Sequence, residues 1–212
     1  MGWPQKETIT GLARADLLAR RIVAEAAPLR FAVAQSSAEL EAAFRLRYRV
    51  VIAAGWAQPE ELADGLERDA YDDGAIHILA WDGEAMVGTT RLVLPTDQHP
   101  LPTEEAFDLA IEPRGGVADV GRICHAPGHR EGHWRVWHGL LAQAWLELRA
   151  RGLSQICAAM KASVLRAHRS LGLEGTILGA ARPYWGEERY PVLIQPARAT
   201  IGELRGGNTI YH

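Results

Sequence analysis

The sequence predicts an α/β (α+β) domain with a mixed central sheet flanked by helices. Three observations support this prediction. Segments that alternate like strands are interleaved with segments whose apolar residues recur at helical spacing. The turn pair Asp82-Gly83 separates strand-like segments at 76–81 and 85–94, which predicts an antiparallel hairpin. A strand–helix–strand pattern over residues 117–160 predicts a crossover whose two strands are parallel.

Individual signals set the bounds of the elements. Ser36 and Glu39 form a capping-box pattern that begins a helix. Apolar residues from Trp137 to Leu148 follow the i, i+3, i+4 rule, and Gly152 ends that helix. The predicted elements are, in order, helix 8–27, strand 29–34, helix 36–53, an acidic loop at 57–73, strands 76–81 and 85–94, a short helix 103–110, strand 117–124, the helix that ends at Gly152, strand 154–160, helix 163–171, and strands 175–181 and 190–195.

Composition narrows the class of protein. The 212 residues contain no repeat or linker, so we expect a single domain over 1–212 with residues 1–27 as an N-terminal helical extension. A formal net charge of −3 argues against nucleic acid as a partner. Two cysteines make no disulfide framework, which favours a cytoplasmic protein. No run of about 18 apolar residues is present, so no membrane span is expected.

The densest set of motifs lies in the middle of the chain. In order, these motifs are Arg47 on a helix, Trp56, the acidic run Glu67-Arg68-Asp69-Ala70-Tyr71-Asp72, the strand Gly88-Thr89-Thr90-Arg91-Leu92, Phe107, and Asp119-Val120-Gly121-Arg122. This set resembles the acyl-homoserine-lactone synthases. Asp119 stands where that family has glutamate, and Val51 where it has a helical phenylalanine.

Long-chain N-acyl amino acid synthases look equally similar over residues 40–195. The shared features are Leu46-Arg47-Tyr48-Arg49, His77 at the start of a strand, Leu101-Pro102 followed by acidic residues, and an aromatic and arginine-rich hairpin at 179–190. The two resemblances imply a GNAT-like acyl-CoA N-acyltransferase fold. They also imply transfer of a fatty acyl group from an acyl carrier protein or acyl-CoA, as a co-substrate and with no permanently bound cofactor. The expected acceptor is the amine of an amino acid or S-adenosylmethionine.

Charged residues in these motifs are expected to pair. Asp69 and Asp72 with Arg91 and Arg122 can form a network in which each carboxylate has a guanidinium partner and the acidic loop is held against the sheet. The alternative is a set of solvated surface ion pairs, which contribute little. The resemblance implies that this loop forms a wall of the amine-substrate pocket. The substrate-binding residues that it implies are Arg47, Trp56, Asp69, Asp72, Arg91 and Phe107.

Asp119 is the candidate general base, with Arg122 as its catalytic neighbour. Acyl transfer to an amine requires loss of an ammonium proton, and a carboxylate on a central strand can accept it directly or through water. The alternative is a structural role, in which Asp119 pairs with Arg122 or caps the strand edge.

The acyl-donor site is expected at the end of the same strand. GNAT enzymes polarise the thioester carbonyl with a backbone N–H, here near Ile123, Cys124 and His125. The pyrophosphate signature of CoA enzymes is incomplete, since Gly132 fits but Trp134 replaces a small residue. This favours a carrier-protein donor. Arg130 and Arg135 would then contact acidic residues of the carrier protein.

Other readings of the sequence remain as alternatives. An acetyl-CoA-dependent GNAT acetyltransferase and a non-catalytic acyl- or partner-binding module have the same fold. Nucleophilic catalysis by Cys124 is disfavoured because it lies on a predicted buried strand. No metal is expected, because Pro127 and Gly128 interrupt the histidines at 125, 129 and 133.

Overall fold

The computed structural model describes residues 4–127, 133–170 and 175–195. The helices are α1 (Pro4–Glu25), α2 (Ser37–Ala53), α3 (Pro102–Phe107), α4 (His133–Ala150) and α5 (Ala162–Ser170). The strands are β1 (Arg30–Val33), β2 (Ile76–Asp82), β3 (Ala85–Val93), β4 (Val117–His125), β5 (Gln155–Met160), β6 (Gly175–Ile177), β7 (Arg182–Tyr184) and β8 (Glu187–Ile194). Two short 3-10 helices, Pro59–Leu62 and Asp72–Gly74, lie between α2 and β2. Within these ranges, no helix has the length and apolar character that a membrane span requires.

The strands form one mixed sheet. Their order is β1-β2-β3-β4-β5-β8-β6, and β7 pairs with β8 outside this order. Strands β4 and β5 are parallel, as the sequence predicted, whereas the other pairs are antiparallel. The mixed sheet flanked by helices is therefore confirmed.

Helices α1 and α4 cover one face of the sheet. Their apolar residues form the main core with strand residues that include Leu92 and Val120. Asp16 fixes α1 on α4, because it accepts hydrogen bonds from Trp145 Nε1 at 2.8 Å and Arg149 Nε at 3.1 Å. Successive strand residues point to opposite faces, so the neighbours of these core residues face α2. This second face carries the polar residues of the candidate site.

An opening divides the sheet between β4 and β5. The two strands pair at three positions, and the last is Asp119 opposite Cys157. Beyond this pair β4 continues to His125 and β5 to Met160 without further pairing between them. We call this opening the β4–β5 gap. Asp119 lies at its apex.

A β-bulge in β4 reorients Arg122. The register of β3 against β4 shifts between Thr89 and Arg91, so one residue of β3 faces two of β4. Arg122 has a positive φ of 55°. Regular alternation would direct Arg122 to the face of Val120, into the apolar core. The bulge instead turns it to the α2 face, and Ile123 packs against the core in its place.

The start of α2 agrees with the sequence prediction, whereas the β2–β3 turn differs from it by one residue. Ser36 Oγ accepts the Glu39 N–H at 3.2 Å, which confirms the predicted helix start. The hairpin turn lies one residue later than predicted. Asp82 pairs with Ala85, and Gly83, with a φ of 58°, is the first central residue of the turn.

The C-terminal strands differ from the prediction. The predicted strand at 175–181 ends at Ile177, and the last strand begins at Glu187 rather than at 190. Between them lies β7, joined to β8 by the two-residue turn Trp185-Gly186. Both residues have positive φ, 52° and 70°. Tryptophan is an unusual residue for this conformation, so the turn has no recognisable sequence signal.

Candidate active site

Arg47 lies in the middle of α2 with a side chain only 1% exposed. Its Nε donates to Glu67 Oε2, and its two terminal nitrogens donate to the two Asp72 oxygens at 2.7 and 3.1 Å. Burial lowers the pKa of Arg47, but the bonds to Glu67 and Asp72 outweigh it and raise the pKa above its ordinary value. This guanidinium therefore stays charged in the protein interior.

Two arginines of the sheet complete the arrangement. Arg91 Nη1 on β3 donates to Asp69 Oδ1 at 2.5 Å and lies 3.0 Å from Asp72 Oδ1. Arg122 on β4 donates from Nε to Glu67 Oε1 at 3.0 Å and from Nη2 to Asp69 Oδ2 at 2.8 Å. Each carboxylate thus bridges two arginines, and the formal charges cancel. We call the six residues the charge network: Arg47, Arg91, Arg122, Glu67, Asp69 and Asp72.

The predicted pairing of the acidic loop with the sheet is confirmed. Asp72 also accepts the Asp69 N–H at 2.7 Å. Burial would raise the pKa of Asp72, but the hydrogen bonds and charge of Arg47, with the charge of Arg91, lower it to about 2. Solvated surface pairs are excluded for Asp72, whose side chain is 2% exposed, whereas Asp69 is 31% exposed. The solvent-facing edge of the charge network is therefore formed by Asp69 and Arg122.

Aromatic rings border this edge. The Arg122 guanidinium lies 4.0 Å from the centre of the Trp185 indole, and Arg122 Nη1 donates to the Tyr184 hydroxyl at 3.4 Å. The Phe107 ring is 6.1 Å from that of Tyr184. Trp56 packs against Gly186 at the tip of the β7–β8 hairpin, so close that a Cβ there would lie 2.1 Å from Trp56 Cδ1. The predicted Trp56 and Phe107 therefore both lie beside the hairpin that covers the charge network.

Asp119 occupies a different environment on the same face. Its Oδ2 accepts the Thr103 N–H in the first turn of α3 at 2.9 Å and lies 3.5 Å from Cys157 Sγ. Burial raises its pKa, and the opposing hydrogen bonds from Thr103 and charge of Arg91 do not offset this. The alternative role as a partner of Arg122 is not found, because the two Arg122 ion pairs go to Glu67 and Asp69. Asp119 instead caps a helix.

Comparisons with known proteins agree on the fold. The family described as Acetyltransferase (GNAT) domain matches residues 46–138, from α2 into α4. TofI, solved with an inhibitor and MTA, is 26% identical over 79% of this chain and 91% of TofI, with a TM-score of 0.63. MesI, a CoA-dependent acyl-homoserine lactone synthase, is 26% identical over 81% of this chain and 91% of MesI, with a TM-score of 0.62. The chain has the fold of the GNAT acyltransferases.

A more distant structure shares this GNAT fold. FeeM, an N-acyl amino acid synthase from uncultured soil microbes, is 17% identical over 78% of this chain and 88% of FeeM, with a TM-score of 0.60. A search of curated protein sequences finds no significant match. The GNAT fold and these relatives make acyltransferase the functional class of the chain.

The predicted acyl-donor site includes residues at the end of β4. Ile123 packs into the α1/α4 core, and His125 is exposed. Burial raises the pKa of Cys124 to about 12, so this thiol is protonated at neutral pH and is a poor nucleophile. The predicted donor residues Arg130 and Gly132, and His129, lie outside the described residues. Arg135 donates to the carbonyl oxygens of Glu25 and Ala27 at the end of α1.

Sequence reasoning did not assign four residues of this site. Glu67 stands in the acidic run and had a visible signal, the first position of the E-x-D-x-x-D pattern. Thr103 contributes a backbone N–H, which every residue type except proline provides, and its side chain also bonds to Asp119. Tyr184 and Trp185 lie in a hairpin whose aromatic content was visible, but whose position over Arg122 depends on the β4 bulge.

Proposed function

We propose that the chain is an N-acyltransferase that moves a fatty acyl group from the thioester of an acyl carrier protein or of CoA to the amine of an amino acid or S-adenosylmethionine. One observation carries this proposal. Asp119, a buried carboxylate with a raised pKa, lies at the apex of the β4–β5 gap and on the same face as the charge network. A base at that point stands between a place for the donor and a place for the acceptor.

The β4–β5 gap suits the donor. Two separated strands leave room for the extended phosphopantetheine arm, which ends in the same thioester in acyl carrier protein and in CoA. The relative MesI is described as CoA-dependent. The donor test must therefore include both carriers.

The charge network suits the acceptor side. Its closed pairing holds the acidic loop on β3 and β4, because each carboxylate is bound to two arginines. Asp69 and Arg122 at its exposed edge, with the rings of Trp185 and Trp56, offer charge and apolar surface to a small amine. Such a rigid wall positions the acceptor without moving during the reaction.

The chemistry follows from these positions. Asp119 accepts a proton from the acceptor ammonium, directly or through water, and the neutral amine attacks the thioester carbonyl. A backbone N–H of β4 near Ile123 to His125 stabilises the oxyanion. When the tetrahedral intermediate collapses, the C–S bond breaks, the amide forms, and the sulfur leaves as a thiol with the proton that the amine loses.

Mass spectrometry of reaction products tests the proposal. The protein is incubated with acetyl-CoA, long-chain acyl-CoA or long-chain acyl carrier protein, each with S-adenosylmethionine or a mixture of amino acids. A fatty amide from a long-chain donor is expected. A product from acetyl-CoA alone would establish an acetyltransferase instead, and no product from any pair would overturn the proposal.

Asp119→Asn links the product to the mechanism. It keeps the shape of the side chain and removes its basicity, so kcat should fall by about 10²- to 10⁴-fold. The defect should shrink as pH rises, because more of the amine is then already neutral. Asp82→Asn, at an exposed hairpin turn, is the matched control and should retain full activity. Full activity of Asp119→Asn at neutral pH would contradict the role of Asp119.

A further inference from the structure

Arg189 is a fourth arginine at the candidate site, outside the charge network. It precedes Tyr190, which forms the last β8 pair with β5, opposite Met160. Arg189 therefore lies where β4 and β5 have already separated. Leu193 and Cys157 pack in one apolar cluster, and Cys157 is the register partner of Asp119. Arg189 lies four residues before Leu193 on β8. Because alternate strand residues point to the same face, Arg189 shares the face of Asp119. Its guanidinium lies over the Trp56 ring and bonds to the β7–β8 hairpin, whose Tyr184 and Trp185 contact Arg122 of the charge network.

The contacts of Arg189 leave its charge poorly compensated. Its Nε donates to the Tyr184 carbonyl oxygen at 3.0 Å. Its nearest carboxylate is Glu187, at 3.5 Å from Nη2, while the other Glu187 oxygen accepts from Lys161 at 2.8 Å. Two cations thus share one carboxylate. Among the described residues, none accepts a hydrogen bond from the terminal nitrogens of Arg189.

The arginines of the charge network are better compensated than Arg189. Arg47 and Arg91 contact two carboxylates each, and their pKa values are raised. Burial lowers the pKa of Arg189. The charges of Glu187 and Tyr184 oppose this but do not offset it, and the positive charge of Arg122 lowers the pKa further. A partly buried cation that shares its one carboxylate with a lysine is poorly compensated, and a bound anion would relieve that cost.

The local packing holds Arg189 in place before any ligand arrives. Its guanidinium lies 5.3 Å from the centre of the Trp56 ring, within the range of a cation–π contact. Trp56 is itself seated against Gly186, where a side chain would clash with it. The side chain of Arg189 is 19% exposed, so its terminal nitrogens are reached from the site and not from every direction.

We propose that Arg189 is the residue that binds the α-carboxylate of the acceptor and so selects an α-amino carboxylate. A planar guanidinium whose terminal nitrogens donate no hydrogen bond to a described residue can bind a carboxylate in bidentate geometry. The inference rests on the proposed function, which makes the bound molecule an acyl acceptor, but the binding itself requires no acyl donor. Both amino acids and S-adenosylmethionine carry the recognised group.

Calorimetric titration without an acyl donor tests this binding directly. L-leucine is compared with L-leucinamide, and S-adenosylmethionine with its decarboxylated form. In the wild type, we expect the carboxylate member of at least one pair to bind about 10- to 100-fold more tightly, the range for a charged hydrogen-bonded pair. Arg189→Met keeps an apolar stem against Trp56 and should reduce this ratio to about one, whereas Arg189→Lys should retain part of it.

The control is Arg182→Met. Arg182 is the register partner of Arg189 in the same hairpin and is exposed, so its loss should leave the ratio unchanged. Equal binding of both members in both pairs, or an equal loss in Arg182→Met, would overturn the proposal. A retained carboxylate preference without acyl transfer would count against the proposed function alone. Acyl transfer with an unchanged preference in Arg189→Met would count against Arg189 alone.

Discussion

Asp72 and Asp119 are two buried carboxylates on one face of one sheet, and their surroundings are opposite. Asp72 binds Arg47 through both oxygens and lies 3.0 Å from Arg91. In the described part of the chain, no arginine is bonded to Asp119; its hydrogen-bond partners are the Thr103 side chain and backbone N–H and the Cys157 thiol. Arginine bonds and charges outweigh burial and lower the pKa of Asp72 to about 2, whereas burial dominates and raises the pKa of Asp119.

The opposite pKa shifts of Asp72 and Asp119 indicate different roles for the two carboxylates. A carboxylate whose charge is fully matched holds no proton near neutral pH and is a poor base. A carboxylate that burial makes more basic can accept a proton during a reaction. Within the described face, the charge network is therefore the scaffold, and Asp119 is the group with the chemistry to serve as a base.

The largest expected effect on stability comes from removing Arg47, an arginine partner of Asp72. Arg47→Ala leaves Glu67 and Asp72 buried without this partner, and should lower the free energy of unfolding by about 3–5 kcal/mol. Arg45→Ala in the same helix is the matched control. Arg45 pairs with Glu41 at the surface, with both side chains more than half exposed, and should lose at most about 1 kcal/mol. Urea denaturation of both variants checks this, and equal losses would show that the network is not a scaffold.

Replacing each carboxylate with an amide should affect stability differently. Asp72→Asn leaves Arg47 and Arg91 with excess positive charge and should destabilise the fold by about 2–4 kcal/mol. Asp119→Asn still offers an oxygen to the Thr103 N–H and removes a buried charge, so its melting temperature should be unchanged or higher. Differential scanning calorimetry at pH 7 measures both. A loss for Asp119→Asn as large as that for Asp72→Asn would place Asp119 in the scaffold as well.

Acid titration sharpens the same contrast. The folded pKa of Asp72 is depressed, so its contribution to stability is present above the unfolded pKa of about 3.8 and is lost as pH falls through about 2. The stability gap between wild type and Asp72→Asn should therefore close by roughly 2 kcal/mol across that window. Asp119 has a raised pKa and acts in the opposite sense, destabilising the fold as pH rises above 3.8. Denaturation curves from pH 5 to pH 2 measure the gap, and a gap independent of pH would contradict the pairing.

Periodicity and turn chemistry, which are local properties of the chain, predicted the mixed sheet as far as β5 and the parallel crossover. The pairing of the acidic loop with Arg91 and Arg122 was predicted with the help of the family resemblance, because the spaced charges alone also fit solvated surface pairs. The sequence could not give the partner of Asp119, because the Thr103 N–H comes from a helix that meets β4 only in the folded protein. It also could not give the orientation of Arg122, because the bulge that turns it has no residue signature.

The smallest expected effect concerns the thiol beside Asp119. Cys157 Sγ lies 3.5 Å from Asp119 Oδ2, and its weak hydrogen bond lowers the pKa of Asp119 against the larger effect of burial. Cys157→Ala removes this donor, so the pKa of Asp119 should rise and the acidic limb of the kcat/KM profile should move to higher pH. Cys124→Ala is the matched control, since Cys124 on β4 is also buried but is not a donor to Asp119. Each variant should lose about 1 kcal/mol of stability, and only Cys157→Ala should move the limb. A limb that moves equally in both variants, or in neither, would mean that Asp119 is not the group whose ionisation limits the reaction.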